Sequence, residues 1–258
     1  MPVKVEILQD KQALGRAAAR AGADALRQAL AEKPEAGVIV ATGASQFEML
    51  DALVQERGIA WPRVSIFHLD EYVGLPPSHP ASFRNYLQTR LLARLPTPKA
   101  FVAIDGTADS IPDEISRLNG FITMHEIAVC FAGIGENCHL AFNDPPADFE
   151  TRSPFILVNL DEACRRQQAT EGWFPALDAV PRCAITMSMQ QIAQSRKIIL
   201  SVPDARKAAA VRATIEGPIT QDSPASFLQT HADCTLYLDP HSASLLQHTE
   251  RRGPWQGE

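Results

Sequence analysis

The feature of this chain that most constrains its fold is a repeated alternation of short apolar runs with longer helix-like segments. The strand-like runs are VKVEIL, GVIVAT, VSIFHL, FVAI, IAVCFAG, AITMSM, KIILSV and CTLYLD. Helices are predicted after Asp10 through Ala31, from near Gln46, over Ser82–Leu95, Ile111–Met124 and Ala205–Glu216, and from Ser242. This order predicts an α/β fold with a parallel or mostly parallel sheet covered by helices.

Length and composition place the chain among ordinary globular proteins. It has 258 residues, of which 45% are hydrophobic and 21% charged, and a formal net charge of −6. We predict one α/β domain over residues 1–250 and a polar tail over 251–258. No basic run suggests a nucleic-acid partner, no apolar run approaches membrane-spanning length, and a homo-oligomer is compatible with the sequence.

The cysteine pattern favours a reducing compartment. Five cysteines stand at positions 130, 138, 164, 183 and 234 without a CxxC pair. This pattern does not resemble a disulfide scaffold. No N-terminal apolar core with a cleavage site is evident, so we expect a cytoplasmic location.

The segment FAGIGENCHLAFNDP, residues 131–145, follows an apolar strand and concentrates polar side chains in one loop. In open α/β sheets, ligands bind outside the carboxyl ends of the strands. His139 is therefore well placed for proton transfer near neutral pH. Asn137 and Asp144 flank it and could fix its tautomer. Cys138 could act as a nucleophile, but a small residue filling the turn is the favoured interpretation.

Two further segments could bind a phosphate. Gly43, Ala44 and Ser45 lie between a strand and a helix, where free N–H groups and hydroxyls suit an anion. A plain turn with a serine cap is an equally good interpretation of this motif alone. Lys207 is predicted in the first turn of a helix, where a cation opposes the helix dipole unless an anion is near. The alternative is a solvent-facing lysine, and Asp204 could cap that helix.

Paired acids follow another predicted strand. Asp70 and Glu71 stand at its carboxyl end, where a general base is plausible, although two adjacent acids are more often a solvated surface.

The region from Pro145 to Phe174 is the least regular part of the chain. It fits a lid, a small insertion or a plain surface connection. No HExxH motif or zinc-like spacing predicts a metal site, and no GxSxG elbow predicts a serine hydrolase.

Several motifs together resemble a known family over most of the chain, from about Val38 to Leu246. They are TGAS, LDEYVGLPPSHPAS, GIGENCHLAFNDP, VPRCAIT and RKAAAVRATIEG. In this order they resemble the glucosamine-6-phosphate deaminases, which are similar to 6-phosphogluconolactonases. The ending FNDP is similar to the deaminase branch.

The resemblance implies a Rossmann-like, mostly parallel sheet with helices on both faces and a metal-free reaction without a cofactor. Family members convert a 2-amino-2-deoxyhexose 6-phosphate and water into a ketohexose 6-phosphate and ammonia. By resemblance, Asp70 is the base that moves a proton between C2 and C1, and His139 opens the sugar ring. Gly43–Ser45 and Lys207 are expected to hold the phosphate of this small-molecule partner.

The chain departs from the family pattern at four places. Asn137 replaces the usual aspartate, Cys138 the usual glycine and Asp144 the usual glutamate. An arginine that binds phosphate is missing from QQATEGWF, and Arg165 and Arg166 lie upstream. Asparagine here is also similar to galactosamine-6-phosphate deaminases. Two alternatives remain: a lactonase-like hydrolase of a sugar-phosphate lactone, and a sugar-phosphate-binding homologue without turnover.

Overall fold

A seven-stranded sheet forms the centre of the computed structural model, which describes residues 3–170 and 172–247. The strands of the described residues are β1 (Lys4–Ile7), β2 (Ala36–Val40), β3 (Val64–His68), β4 (Asp70–Tyr72), β5 (Ala100–Val102), β6 (Ile127–Ala132), β7 (Phe155–Asn159), β8 (Cys183–Met187), β9 (Lys197–Val202) and β10 (Cys234–Leu238). The α-helices of the same residues are α1 (Lys11–Glu32), α2 (Phe47–Leu53), α3 (Phe83–Arg90), α4 (Ile111–Ile122), α5 (Glu162–Thr170), α6 (Met189–Ala193) and α7 (Ala208–Glu216).

The large sheet has the order β1-β10-β9-β6-β2-β3-β5, and every pairing in it is parallel. A second sheet, with the order β4-β8-β7, is antiparallel. The predicted α/β fold with a mostly parallel sheet is therefore confirmed. Within the described ranges, no helix combines the length and the apolarity that crossing a bilayer demands.

Both faces of the large sheet are covered, which explains why its strands read as continuous apolar runs. Ile39 packs in a cluster that includes side chains of α4, α6 and α7. Its neighbours Val38 and Val40 point the other way and pack with side chains of α1, α2 and α3. Alternate residues of β2 thus pack into two separate hydrophobic clusters, one on each face of the sheet.

The first helix begins where its capping residue predicts. The Asp10 carboxylate accepts a hydrogen bond from the Ala13 N–H at 2.6 Å, which satisfies one of the free donors of the first turn. Further along α1, Gly15 faces α2 so closely that a Cβ would lie 2.6 Å from the Glu48 carbonyl carbon. The small residues of α1 therefore allow close packing between the two helices.

The region from Pro145 to Phe174 is more ordered than the sequence indicates, and treating it as the least regular part of the chain was wrong. It contains β7 and α5. β7 is an edge strand on which buried and more exposed residues alternate. AITMSM likewise contributes β8, an antiparallel strand of the small sheet. The residues FILV of β7 form a contiguous apolar run that we did not assign as a strand, because the run is short and polar residues surround it.

Two predicted helices also differ from the structure. Residues 241–245 form turns rather than the start of a helix. The Asp239 carboxylate accepts a hydrogen bond from the Ser242 N–H at 2.7 Å, and such a local bond competes with helix formation. The helix predicted over Ser82–Leu95 ends at Arg90 and is followed by a 3-10 turn. The predicted tail over 251–258 lies outside the described residues.

Candidate active site

Four adjacent strands of the large sheet, β9, β6, β2 and β3, end at one pocket. The lining residues that follow these strands are Ala41, Thr42, Gly43, Ala44, Ser45, Leu69, Asp70, Gly133, Ile134, Gly135, His139, Ala141, Phe142, Asp204, Arg206 and Lys207. Ligands of open α/β sheets bind at this position. The predicted residues Gly43, Ala44, Ser45, Asp70, His139 and Lys207 are thus brought together.

The turn after β2 offers backbone donors to the pocket. Gly43 has φ 97°, a left-handed conformation that favours glycine, and a 3-10 turn over Ala44–Gln46 leads into α2. The first N–H groups of such a helical turn have no partner within it. The Tyr86 hydroxyl fixes the turn by donating to the Gly43 carbonyl at 2.8 Å.

Ser45 does not cap the helix, contrary to one interpretation of the sequence. Neither the 3-10 turn nor α2 has a side-chain cap. The Ser45 hydroxyl instead accepts a hydrogen bond from the Gln46 amide at 3.1 Å. The same amide lies 3.4 Å from the Ala132 carbonyl and 3.2 Å from the Ser201 carbonyl. Gln46, which sequence reasoning did not single out, therefore ties the end of β2 to β6 and β9.

Lys207 also lines the pocket and is only 6% exposed, so the solvent-facing alternative is wrong. It ends a 3-10 turn, Ala205–Lys207, that leads into α7. Asp204 does not cap this helix with its side chain. It has φ 79°, and its N–H donates to the Asp239 carboxylate at 3.1 Å.

Arg206 is a pocket residue that sequence reasoning missed, although its position beside Lys207 was a usable signal. Its guanidinium lies 3.0 Å from the Glu136 carboxylate, and both side chains are exposed. By contrast, Arg165 is held by the backbone carbonyls of Leu177 and Val180. Arg166 pairs on the surface with Glu162, so neither upstream arginine lines the pocket.

Asp70 and Glu71 are buried rather than solvated at the surface. Asp70 is the first residue of β4 and lines the pocket. Burial, reinforced by the nearby charge of Glu71, raises the pKa of Asp70 well above its ordinary value. A carboxylate that is hard to ionise holds a proton more strongly, so Asp70 is a stronger base than a solvated aspartate.

The Glu71 carboxylate has a structural role, because it binds the backbone of nearby residues. Its carboxylate accepts hydrogen bonds from the N–H groups of Tyr72, Phe83 and Arg84 at 3.0, 3.2 and 2.9 Å. The Ser82 hydroxyl donates a fourth bond at 2.9 Å. Burial nevertheless raises its pKa. Glu71 therefore fastens the start of α3 to β4.

The loop after β6 holds His139 against an acid. The His139 Nδ1 atom lies 3.2 Å from Asp144 Oδ1, and Asn137 donates to the same oxygen at 3.3 Å. The Asn137 side-chain oxygen in turn accepts from the His139 N–H at 3.2 Å. Asn137 and Asp144 thus stand behind His139 rather than lining the pocket.

The contact between His139 and Asp144 favours the ionised form of Asp144. It also determines which ring nitrogen of His139 faces the pocket. Burial disfavours the ionised carboxylate, but His139 and Asn137 overcome that effect and lower the pKa of Asp144. The His139 Nδ1 atom is buried, so Nε2 is the ring nitrogen that the pocket can reach. Such an orientation leaves one imidazole nitrogen available for acid–base work.

The backbone around His139 is unusual. A Cβ on Gly135 would lie 2.3 to 2.4 Å from three atoms of the His139 ring, so this position has no room for a side chain. The non-glycine residues with positive φ in the described chain are Cys138, Ala141 and Asp204, all at or beside the pocket. Such conformations cluster at functional sites. Cys138 is buried with Sγ 3.8 Å from the Ala210 carbonyl, which favours a packing role over a nucleophilic one.

Comparisons with known proteins agree with this geometry. Residues 9–237 match the family model described as glucosamine-6-phosphate isomerases/6-phosphogluconolactonase. The chain belongs to this family. It is 36% identical to the glucosamine-6-phosphate deaminase of Exiguobacterium sibiricum over 88% of each protein. It is 34% identical to glucosamine-6-phosphate deaminase 1 of Bacillus subtilis over 94% of this chain and 99% of that protein.

Solved structures of this family have the same fold. A monomeric glucosamine-6-phosphate deaminase superposes with a TM-score of 0.86 at 33% identity, over 94% of this chain and all of that one. The 6-phosphogluconolactonase of Trypanosoma brucei has a TM-score of 0.78 at 15% identity, over 94% of this chain and 98% of that one. The second likeness concerns the fold alone.

Proposed function

We propose that this protein is an amino-sugar-6-phosphate deaminase of the glucosamine-6-phosphate type. It would convert a 2-amino-2-deoxyhexose 6-phosphate and water into a ketohexose 6-phosphate and ammonia. The observation that carries the proposal is that a buried carboxylate and a histidine line one pocket. The carboxylate is Asp70, and the histidine is His139, which an acid contacts from behind. The relatives named as glucosamine-6-phosphate deaminases support the same activity.

The phosphate would bind between the turn after β2 and the turn before α7. Gly43, Ala44 and Ser45 supply backbone N–H groups and a hydroxyl, and Lys207 supplies a buried positive charge. Arg206 adds a second cation beside Lys207 and would take the part of the arginine missing from the segment after Arg166. Phosphate binding far from the reacting carbons would position the sugar for reaction.

His139 would open the sugar ring. Its Nε2 atom would give a proton to the ring oxygen as the bond from that oxygen to C1 breaks, and it would then take up the proton of the anomeric hydroxyl, which becomes the aldehyde at C1. Asp144 would hold the imidazole by Nδ1 and stabilise its protonated form. Asn137 carries no charge, so it would stabilise that form less than the usual aspartate.

Asp70 would act on the open-chain sugar. Removal of the C2 proton gives an enolamine, and return of the proton to C1 gives a ketimine at C2. Water then hydrolyses the ketimine to the ketone and ammonia. The raised pKa of Asp70 supports this role, since a base works best when its pKa approaches the working pH.

The epimer at C4 is the open part of the substrate assignment. The close relatives favour glucosamine 6-phosphate, whereas Asn137 favours galactosamine 6-phosphate by its likeness to that branch.

All five cysteines carry free thiols, which supports a cytoplasmic site of action.

A coupled assay of ammonia release over both hexosamine 6-phosphates, run beside an assay of 6-phosphogluconolactone opening, tests the proposal. We expect ammonia from at least one amino sugar and little lactone hydrolysis. Rapid lactone opening without ammonia would identify a hydrolase instead. Tight binding of both sugars with no product would identify a homologue without turnover.

A further inference from the structure

The side of His139 that is turned away from the pocket holds a second group of ligand-capable atoms. A ring nitrogen of His139, a carboxylate oxygen of Asp144 and the sulfur of Cys164 all lie within 4.8 Å of one another. Cys164 comes from α5, so the group joins two separate segments of the chain. The side chains of His139 and Asp144 are 12% and 8% exposed, and Cys164 is 1% exposed.

Two atoms of this group have spare bonding capacity. Among the described residues, the His139 Nδ1 and Asp144 Oδ2 atoms are buried without a hydrogen bond of good geometry, although the Asp161 N–H and the Cys164 thiol also act on the Asp144 carboxylate. The 3.2 Å between Nδ1 and Asp144 Oδ1 is close enough for an ion pair but poorly aligned for a hydrogen bond. Buried polar atoms normally have partners, so this cluster is suited to accept a further one.

The three donor types match a thiophilic cation. Imidazole nitrogen, carboxylate oxygen and thiolate sulfur are the ligands of zinc, and three of them leave a fourth position for water. Zinc bond lengths place the ligand atoms roughly 3.3 to 3.8 Å apart in a tetrahedral site. The ligand atoms of the cluster already lie within 4.8 Å of one another, so a small rearrangement would bring them to these separations. A thiolate ligand disfavours magnesium and calcium.

Local charge also attracts a cation. The carboxylates of Asp144, Asp161 and Asp70 are near enough to Cys164 to act on its thiol electrostatically. A bound cation would replace the thiol proton and be attracted by the same carboxylates.

We propose that His139, Asp144 and Cys164 form an inhibitory binding site for a thiophilic divalent cation such as Zn²⁺. Binding releases the Cys164 proton to solvent and occupies the Nδ1 atom of His139 and the carboxylate of Asp144. The histidine can then no longer alternate between proton donor and acceptor at the sugar ring. Inhibition rests on the proposed function, whereas binding of the cation does not.

The test compares the chelator-treated protein with two variants, Cys164→Ala and Cys183→Ala. Cys183 is a partly exposed thiol hydrogen-bonded to Asn159, so it controls for binding at an accessible cysteine. Cd²⁺ binding is followed by calorimetry and by the ultraviolet absorption of the cadmium–thiolate bond. Zn²⁺ is added separately while ammonia release is measured.

We expect the unmodified protein and Cys183→Ala to bind one Cd²⁺ per chain with the thiolate absorption and to be inhibited reversibly by Zn²⁺ but not by Mg²⁺. Cys164→Ala should keep its basal activity, lose the absorption and bind more than about 100-fold more weakly, since loss of even an outer partner weakens metal sites 10–100-fold. If this variant is unstable, Cys164→Ser should show the same loss.

An absorption that persists in Cys164→Ala, or one that disappears in Cys183→Ala, would overturn the proposed site. So would a protein that binds no Cd²⁺ at all. If cadmium binding depends on Cys164 but the protein is inactive on every amino sugar, the cation site is supported and the proposed function is rejected. The two failures are therefore distinguishable.

Discussion

Asp70 combines a catalytic position with an unfavourable environment for its charge. Its carboxyl group is buried beside a second acid, and its pKa is raised. The folded protein therefore holds this proton to a higher pH than the unfolded chain does. Above the ordinary aspartate pKa, ionisation of Asp70 lowers the free energy of unfolding, increasingly so as the pH rises toward the raised value.

Replacing Asp70 by asparagine should separate activity from stability. We expect Asp70→Asn to lower ammonia release by about 10²–10⁴-fold, the contribution of a well-placed base, and to abolish exchange of the C2 proton with solvent. Urea unfolding near neutral pH should give an equal or higher free energy of unfolding, because the variant removes a buried charge. Normal C2 exchange in the variant would exclude Asp70 as the base.

Arg206 is the cation we expect to replace the missing arginine. Arg206→Ala should raise KM by roughly tenfold or more with a small change in kcat, since a hydrogen bond to a charged group is worth about 1.5–3 kcal/mol. Arg212→Ala is the matched control, because Arg212 pairs with Glu216 on α7 and does not line the pocket. An equal rise in KM in both variants would contradict a specific contact between Arg206 and phosphate.

At the scale of elements, the sequence predicts the strands and helices of the large sheet because burial on both faces produces clear apolar runs. It does not predict the pairing of β7 with β8, since a run as short as FILV does not reveal which strand it joins. The site was predictable where motifs carry it, at Asp70 and His139. Gln46 and Arg206 were missed because their roles depend on contacts between segments far apart in the chain.

The junction of β4 and α3 depends on Glu71. Glu71→Ala would leave three backbone N–H groups and the Ser82 hydroxyl without their acceptor. We expect the free energy of unfolding to fall by more than about 3 kcal/mol, because each buried donor left unpaired costs about 1–3 kcal/mol. Glu150→Ala, at an exposed acid, should change it by less than about 0.5 kcal/mol. Similar effects of the two changes would exclude an anchoring role for Glu71.

The contact between α1 and α2 can be tested with two glycines. Gly15→Ala should lower the free energy of unfolding by about 1–3 kcal/mol, because the new methyl group would overlap the backbone of Glu48. Gly120→Ala, in α4, should raise it by about 0.4–1 kcal/mol, since nothing lies within 4 Å of the new methyl group. Thermal or urea unfolding measures both. A stabilising Gly15→Ala would show that the helices do not need this close approach.

For the whole molecule, the pocket links ligand binding to global stability because its lining comes from both sheets and from α3 and α5. Inorganic phosphate at about 100 times its Kd should stabilise the protein by about 2.7 kcal/mol and raise Tm by roughly 5–10 °C. Lys207→Met should lose most of this shift relative to chloride at equal ionic strength. The same shift in the variant and the parent would place the phosphate elsewhere.

The chain passes from the large sheet to the small one through a single residue, since β3 ends at His68 and β4 begins at Asp70. The proposed base is thus the first residue of the small sheet, paired with Thr186 of β8. If recombination replaced the small sheet as a unit, it would also replace the proposed base, Asp70. We expect diversification of this protein by point substitution around the pocket rather than by exchange of the small sheet.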